Sequence, residues 1–125
     1  MTIGLIDDEE VFHWIAKQFL ERVDRTVQTV SFYNGKEALD FLSANEEAPE
    51  IILVDLNMPV ANGWEFLDRY HALNTTSDSR IFVVSSSIDP NDMKRARSYE
   101  HVEDFIPKPI TTEFLEKLLA VKTDS

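Results

Sequence analysis

Ile51-Ile52-Leu53-Val54 is a run of four aliphatic residues that ends at an acid, Asp55. A strand that is apolar at every position has to be covered on both faces. That is the condition of a parallel strand between layers of helices, whereas a half-solvated strand alternates. Ile3-Gly4-Leu5-Ile6 and Ile81-Phe82-Val83-Val84 read the same way. Between such runs the period changes. Phe12, Ile15, Ala16, Phe19, Leu20 and Val23 recur at spacings of three and four, which marks a helix with one core-facing stripe. Val27 to Phe32 reads as a strand, and after the Asn34-Gly35 turn Ala38, Leu39 and Leu42 belong to a second helix. Asn62-Gly63 opens a third helix with Phe66, Leu67 and Tyr70 on it. Asp89-Pro90 starts a fourth, because Asp caps and Pro fits the first turn. Phe105-Ile106 is a short fifth strand. Thr111 or Thr112 caps a final helix bearing Phe114, Leu115, Leu118 and Leu119, and residues 120–125 read as a fraying tail.

Five strands alternating with five helices predict an α/β fold, one doubly wound five-stranded parallel sheet with right-handed crossovers. The 125 residues suit a single domain over 1–125, with no repeat, linker or attached output domain expected. No apolar stretch approaches the ~20 residues of a membrane helix. Met1-Thr2-Ile3-Gly4 lacks the features of a secretory leader. With no cysteine in the chain, disulfides, thiolate metal sites and thiol nucleophiles are excluded. The expected setting is cytoplasmic. Twelve Lys and Arg against 23 Asp and Glu give a net charge of −11, a field that repels nucleic acid and attracts cations and basic surfaces.

Ligands of such sheets bind beyond the carboxyl ends of the strands. There the sequence places Asp7 and Asp8 after the first strand, Asp55 after the third, Ser85 after the fourth and Lys108 after the fifth. In the order 2-1-3-4-5 of flavodoxin-like folds, the first strand is central and the third and fourth lie beside it. Asp7, Asp8 and Asp55 then converge at one mouth, with Ser85 and Lys108 at its rim. Converging carboxylates repel, and a hard cation with oxygen ligands, Mg²⁺ (or Mn²⁺), resolves the repulsion. Mg²⁺ prefers one or two carboxylates plus a phosphate, and an aspartate can itself accept a phosphoryl group.

At these residues the chain resembles the receiver domains of response regulators in two-component signalling, a group that includes the single-domain chemotaxis regulators. The segment from Ile51 through Asp55, Asn57, Met58 and Pro59 to Gly63 carries that resemblance, together with Asp7-Asp8, Ser85 and Lys108-Pro109. It covers essentially the whole chain. The resemblance implies that Asp55 is the phosphoacceptor. It implies a metal held by the carboxylates of Asp8 and Asp55 and the backbone carbonyl of Asn57, with Asp7 helping, partly through water. Lys108 should reach the phosphoryl oxygens and Ser85 should hydrogen-bond the phosphoryl group. Phe105 should be the switch ring that turns inward as Ser85 moves, and Lys108-Pro109 a cis peptide. A histidine kinase or phosphotransfer protein should supply the phosphoryl group, docking on Val11, Trp14 and Gln18 of the first helix. Output should leave through protein contacts on the fourth helix, fifth strand and fifth helix. The chain departs from the family pattern in having Ser rather than the commoner Thr at position 85, Phe rather than Tyr at 105, and no glycine between Ser98 and Asp104.

Three other readings compete. A phosphorelay intermediate would pass the phosphoryl group onward to a second histidine protein. A Mg²⁺-dependent phosphohydrolase needs a second acid two residues after its nucleophile, and Asn57 stands there. A phosphate-independent interaction module has no need for repelling carboxylates. His13, His71 and His101 have no carboxylates at ligand spacing and read as surface residues. Trp64 reads as core packing or site rim, and Lys94, Arg95 and Arg97 as a solvated basic face or an output contact.

Overall fold

The computed structural model describes residues 1–44, 48–56, 58, 62–72, 79–87 and 89–123. Its elements alternate in chain order: β1 (Thr2–Ile6), α1 (Glu10–Val23), β2 (Gln28–Phe32), α2 (Gly35–Ala44), β3 (Ile51–Val54), α3 (Gly63–Ala72), β4 (Arg80–Ser85), α4 (Pro90–Arg97), β5 (Val102–Pro107) and α5 (Thr112–Thr123). All strand pairings are parallel, in the order β2-β1-β3-β4-β5. This is the parallel α/β sheet that the periodicity predicts, in the strand order expected of a flavodoxin-like fold.

Alternation along each strand divides the core in two. Ile52 and Val54 of β3 join Ile6, Ile81, Val83 and Phe105 on one face, beneath Ala38 and Leu39 of α2, Phe66 and Leu67 of α3 and Ala96 of α4. Ile51 and Leu53 join Ile3, Leu5, Phe82 and Val84 on the other, beneath Ala16 and Leu20 of α1 and Leu115, Leu118 and Leu119 of α5. Each fully buried Ile or Leu contributes about 1.5–3 kcal/mol, so the sheet is held from both sides. The helix starts are fixed locally. Asp89 caps α4 by accepting from the Asn91 N–H at 2.9 Å, with Pro90 in its first turn. Thr111 Oγ1 accepts from Phe114 N–H at 3.1 Å, and Asn62 Oδ1 from Glu65 N–H at 3.0 Å.

Two boundaries differ from the sequence reading. The fifth strand begins at Val102 rather than Phe105, because Glu103 and Asp104 are accommodated by a register shift beside Ile81 and Phe82. Glu103 turns outward to a two-pronged ion pair with Arg80, both contacts at 2.8 Å. The residues taken for a fraying tail continue α5 as far as Thr123. Among the described residues, no helix is long and apolar enough to cross a membrane.

Candidate functional site

The register places the acids. Ile6 pairs with Val54, so Asp7 and Asp55 leave adjacent central strands at the same level. Their backbones stay in the ladder for one more step: Asp55 N–H donates to Ile6 O at 2.9 Å and Asp7 N–H to Phe32 O at 3.0 Å. The carboxylates of Asp7, Asp8 and Asp55 each offer an oxygen within 4.8 Å of the other two. Asp7 and Asp55 are buried, at 0% and 5% exposure, and Asp8 is exposed. Beyond β5, Lys108 is anchored by its N–H donating to Ser85 O at 2.9 Å. Its ammonium donates to Asp7 Oδ2 at 2.7 Å, lies 3.7 Å from Asp55 Oδ1, and rests 4.9 Å from the centre of the Phe12 ring.

Burial, and then the charge of Asp7, push the Asp55 carboxyl up to about 6; Lys108 opposes this and Asp8 adds to it. Burial would lower the Lys108 ammonium, but its hydrogen bond to Asp7 and the charges of Asp55, Asp7 and Glu9 raise it above its ordinary value. One lysine against three acids leaves an excess of negative charge that a small cation would neutralise. The donor set is all oxygen, with one position open to solvent through Asp8, which fits Mg²⁺ or Mn²⁺.

Glycine at position 63 is dictated by this site. A Cβ there would lie 2.3 Å from Asp55 O and 2.7 Å from Leu56 Cα, so α3 could not begin so close behind Asp55. Gly63 N–H donates to Leu56 O at 3.1 Å. Lys108-Pro109 is a cis peptide. Ser85 is fully buried rather than at the rim, and its Oγ accepts from Ser87 N–H at 3.1 Å. Phe105 is buried in the same core cluster as Ala96, with Tyr99 and Met93 packed against that cluster. Asn57 lies outside the described residues.

On α1, Val11 and Trp14 are each 63% exposed, and Gln18 is partly buried beside them. Trp64 packs on the core margin; Tyr99 stacks on it at 6.3 Å and the Arg95 guanidinium sits 4.2 Å from its ring centre. That assigns Arg95 a contact rather than a fully solvated position. His13 corrects the sequence reading most sharply. It is buried at 2% exposure, with Nε2 2.7 Å from Asp7 O. The signal was present: positions 13, 16 and 20 have the i, i+3, i+7 spacing of one helix face, and all three are buried. His101 is partly buried among Tyr70 and Tyr99, and the side chain of His71 lies outside the described ones.

Fold and site define a class, an α/β switch domain with an acidic mouth at the carboxyl ends of its central strands. The chain belongs to the response regulator receiver domain family, whose model it matches over residues 3–120. It is 32% identical over 118 residues to an uncharacterized response regulatory protein of Staphylococcus epidermidis, covering 94% of this chain and 44% of that one. A two-component response regulator from Cytophaga hutchinsonii superposes with a TM-score of 0.81 at 28% identity, covering 99% of this chain and 97% of the other. The phosphorylated cyanobacterial phytochrome response regulator RcpA superposes with a TM-score of 0.80 at 25% identity, covering 98% and 91%. The chain spans about half the length of several curated relatives it matches. Receiver domains are switch modules of two-component signalling. They generally bind Mg²⁺ at an acidic pocket and partner with histidine kinases or phosphotransfer proteins.

Proposed function

We propose that Asp55 is the phosphoacceptor of this receiver domain, working with a divalent cation and Lys108. The observation that carries the reading is the meeting of three carboxylates from β1 and β3 within 4.8 Å, with the Lys108 ammonium 3.7 Å from Asp55. In the reaction an Asp55 carboxylate oxygen attacks the phosphorus of a phosphohistidine on a kinase or phosphotransfer protein. A P–O bond forms, the P–N bond breaks, and the departing imidazole takes a proton from solvent. Such transfer needs positioning and charge neutralisation more than covalent chemistry.

Asp8 and Asp55, with the Asn57 carbonyl and a water on Asp7, would hold Mg²⁺ or Mn²⁺, which supplies positive charge against the phosphoryl oxygens. Lys108 supplies the rest. Its present partner is Asp7 at 2.7 Å, so reaching a phosphoryl group on Asp55 requires a short swing across the mouth. Ser85 would exchange its Ser87 contact for the phosphoryl group, and the space it leaves beside β5 would draw Phe105 further inward. Phosphorylation, adding about −1.5 to −2 of charge, biases this pre-existing equilibrium. We assign output to protein contacts on α4, β5 and α5. Trp14 and Val11, apolar yet exposed on α1, suit donor docking, since an exposed indole is a strong interface anchor.

The test is incubation with acetyl phosphate and Mg²⁺ followed by mass spectrometry, with Asp55→Asn as control. One phosphoryl group per chain is expected, absent from Asp55→Asn and from samples treated with a chelator. Undiminished labelling of Asp55→Asn would reject the assignment.

A further inference from the structure

We propose that His13 is a positioning residue for the acid pair. It fixes the peptide plane between Asp7 and Asp8 and so aims Asp8 at the cation; the inference rests on the function proposed above. His13 lies in the first turn of α1, and its ring is nearly inaccessible to solvent. Its Nε2 is 2.7 Å from Asp7 O. A carbonyl oxygen only accepts, so Nε2 carries the hydrogen and donates. Nδ1 is buried and has no hydrogen-bond partner among the described residues. A buried nitrogen without a partner costs stability, and an apolar ring of similar size would fill the space without that cost. The donation to Asp7 is therefore what the histidine adds.

The ring has little freedom to turn away. Tyr33 packs on it at 4.5 Å with a tilt of 42°, and Phe12 meets it edge-on at 6.1 Å. The other polar groups of Asp7 are already engaged. Its N–H donates to Phe32 O at 3.0 Å, Oδ1 accepts from Glu9 N–H at 2.8 Å, and Oδ2 accepts from Lys108 at 2.7 Å. His13 holds the remaining group, the carbonyl. Because the peptide unit is planar, fixing that carbonyl also fixes the Asp8 nitrogen and the direction in which Asp8 leaves the chain. Asp8 is exposed, so packing does little to aim it. At the start of α1 the Glu9 side chain makes no capping bond among the described residues. His13 adds a second tether between α1 and the end of β1, beside the contact of Asp7 Oδ1 with Glu9 N–H.

The test compares Mn²⁺ affinity, read from the paramagnetic resonance of the free ion, in the wild type, His13→Phe and His13→Gln. Phenylalanine keeps the ring and removes the donor; glutamine keeps an N–H of similar reach. Circular dichroism on the same samples reports folding. Loss of a group that orients a metal ligand typically weakens binding 10–100-fold, so His13→Phe is expected to bind at least about tenfold more weakly while folded. His13→Gln should recover most of the loss, which a purely structural role would not produce. Wild-type affinity in folded His13→Phe would overturn the proposal. A wild type that binds no Mn²⁺, or an Asp8→Asn variant that binds it as well as wild type, would overturn the underlying functional reading instead. If His13→Phe does not fold, the imidazole tautomer decides. Long-range ¹H–¹⁵N spectra of the wild type should show the hydrogen on Nε2, and a hydrogen on Nδ1 alone would overturn the proposal.

Discussion

Replacing Asp55 with asparagine should make the cation-free protein more stable. Asp55 is buried beside Asp7, and its carboxyl is pushed from 3.8 up to about 6. In the unfolded chain an aspartate ionises near ~3.9. The native state therefore holds this proton longer than the unfolded state. Stability then falls as pH rises through the window from about 4 to about 6, and the whole penalty is present above it. About two pKa units at ~1.36 kcal/mol each set an upper bound of about 3 kcal/mol. Asparagine keeps the shape and cannot ionise, and the attraction of Lys108 at 3.7 Å is already contained in the raised value of Asp55. The expected net gain at about pH 7.5 is ~1–3 kcal/mol. For a chain of this length that is a rise in Tm of roughly 3–10 °C. Urea unfolding followed by circular dichroism, with a chelator present, measures it for both proteins. The gap should close toward about pH 4, where both side chains are neutral. Adding Mg²⁺ at about a hundred times its Kd should stabilise the wild type by ~2.7 kcal/mol and narrow the gap from the other side. An Asp55→Asn variant less stable than wild type at neutral pH, or a gap that ignores pH, would refute the reasoning.

Three further outcomes follow from the same coordinates. Lys108→Ala strands the buried Asp7 carboxylate and should cost about 2–4 kcal/mol in urea unfolding. It should still accept a phosphoryl group, while the Trp64 fluorescence response to beryllofluoride is blunted; a full response would contradict the role given to Lys108. Gly63→Ala drives a methyl into the backbone at Asp55 and Leu56, so it should lose at least about 2 kcal/mol and slow acetyl phosphate labelling, both read against wild type. Glu103→Gln loses an exposed ion pair and should cost no more than about 1 kcal/mol, less in high salt. Arg80 holds the Glu103 carboxyl below its ordinary range, so this small contribution is present at neutral pH and disappears as pH falls through that lowered value.

What the sequence disclosed follows from how local each signal is. Ile51 to Val54 could be read as a covered strand because every side chain is aliphatic. Asp89-Pro90 could be read as a helix start because the cap acts within two residues. The convergence of Asp7, Asp8 and Asp55 needed only strand order and the rule that sites lie past strand ends. The start of β5 was hidden because Glu103 and Asp104 break the apolar pattern, and Glu103 finds its partner in Arg80, twenty-three residues earlier. The pairing of Lys108 with Asp7, across 101 residues, has no local trace. His13 was misplaced for a different reason. Its spacing with Ala16 and Leu20 marks the core face, but a histidine there carries no apolar signature, and its partner is a backbone oxygen.

The account depends most on the acids of β1 and β3 sharing one ion. Diffraction from crystals soaked in Mn²⁺, recorded where manganese scatters anomalously, tests this directly. One peak per chain is expected, bound by oxygens of Asp8 and Asp55 at roughly 2.0–2.3 Å and absent from Asp8→Asn crystals. A peak elsewhere, or none in a mouth open to solvent, would contradict it.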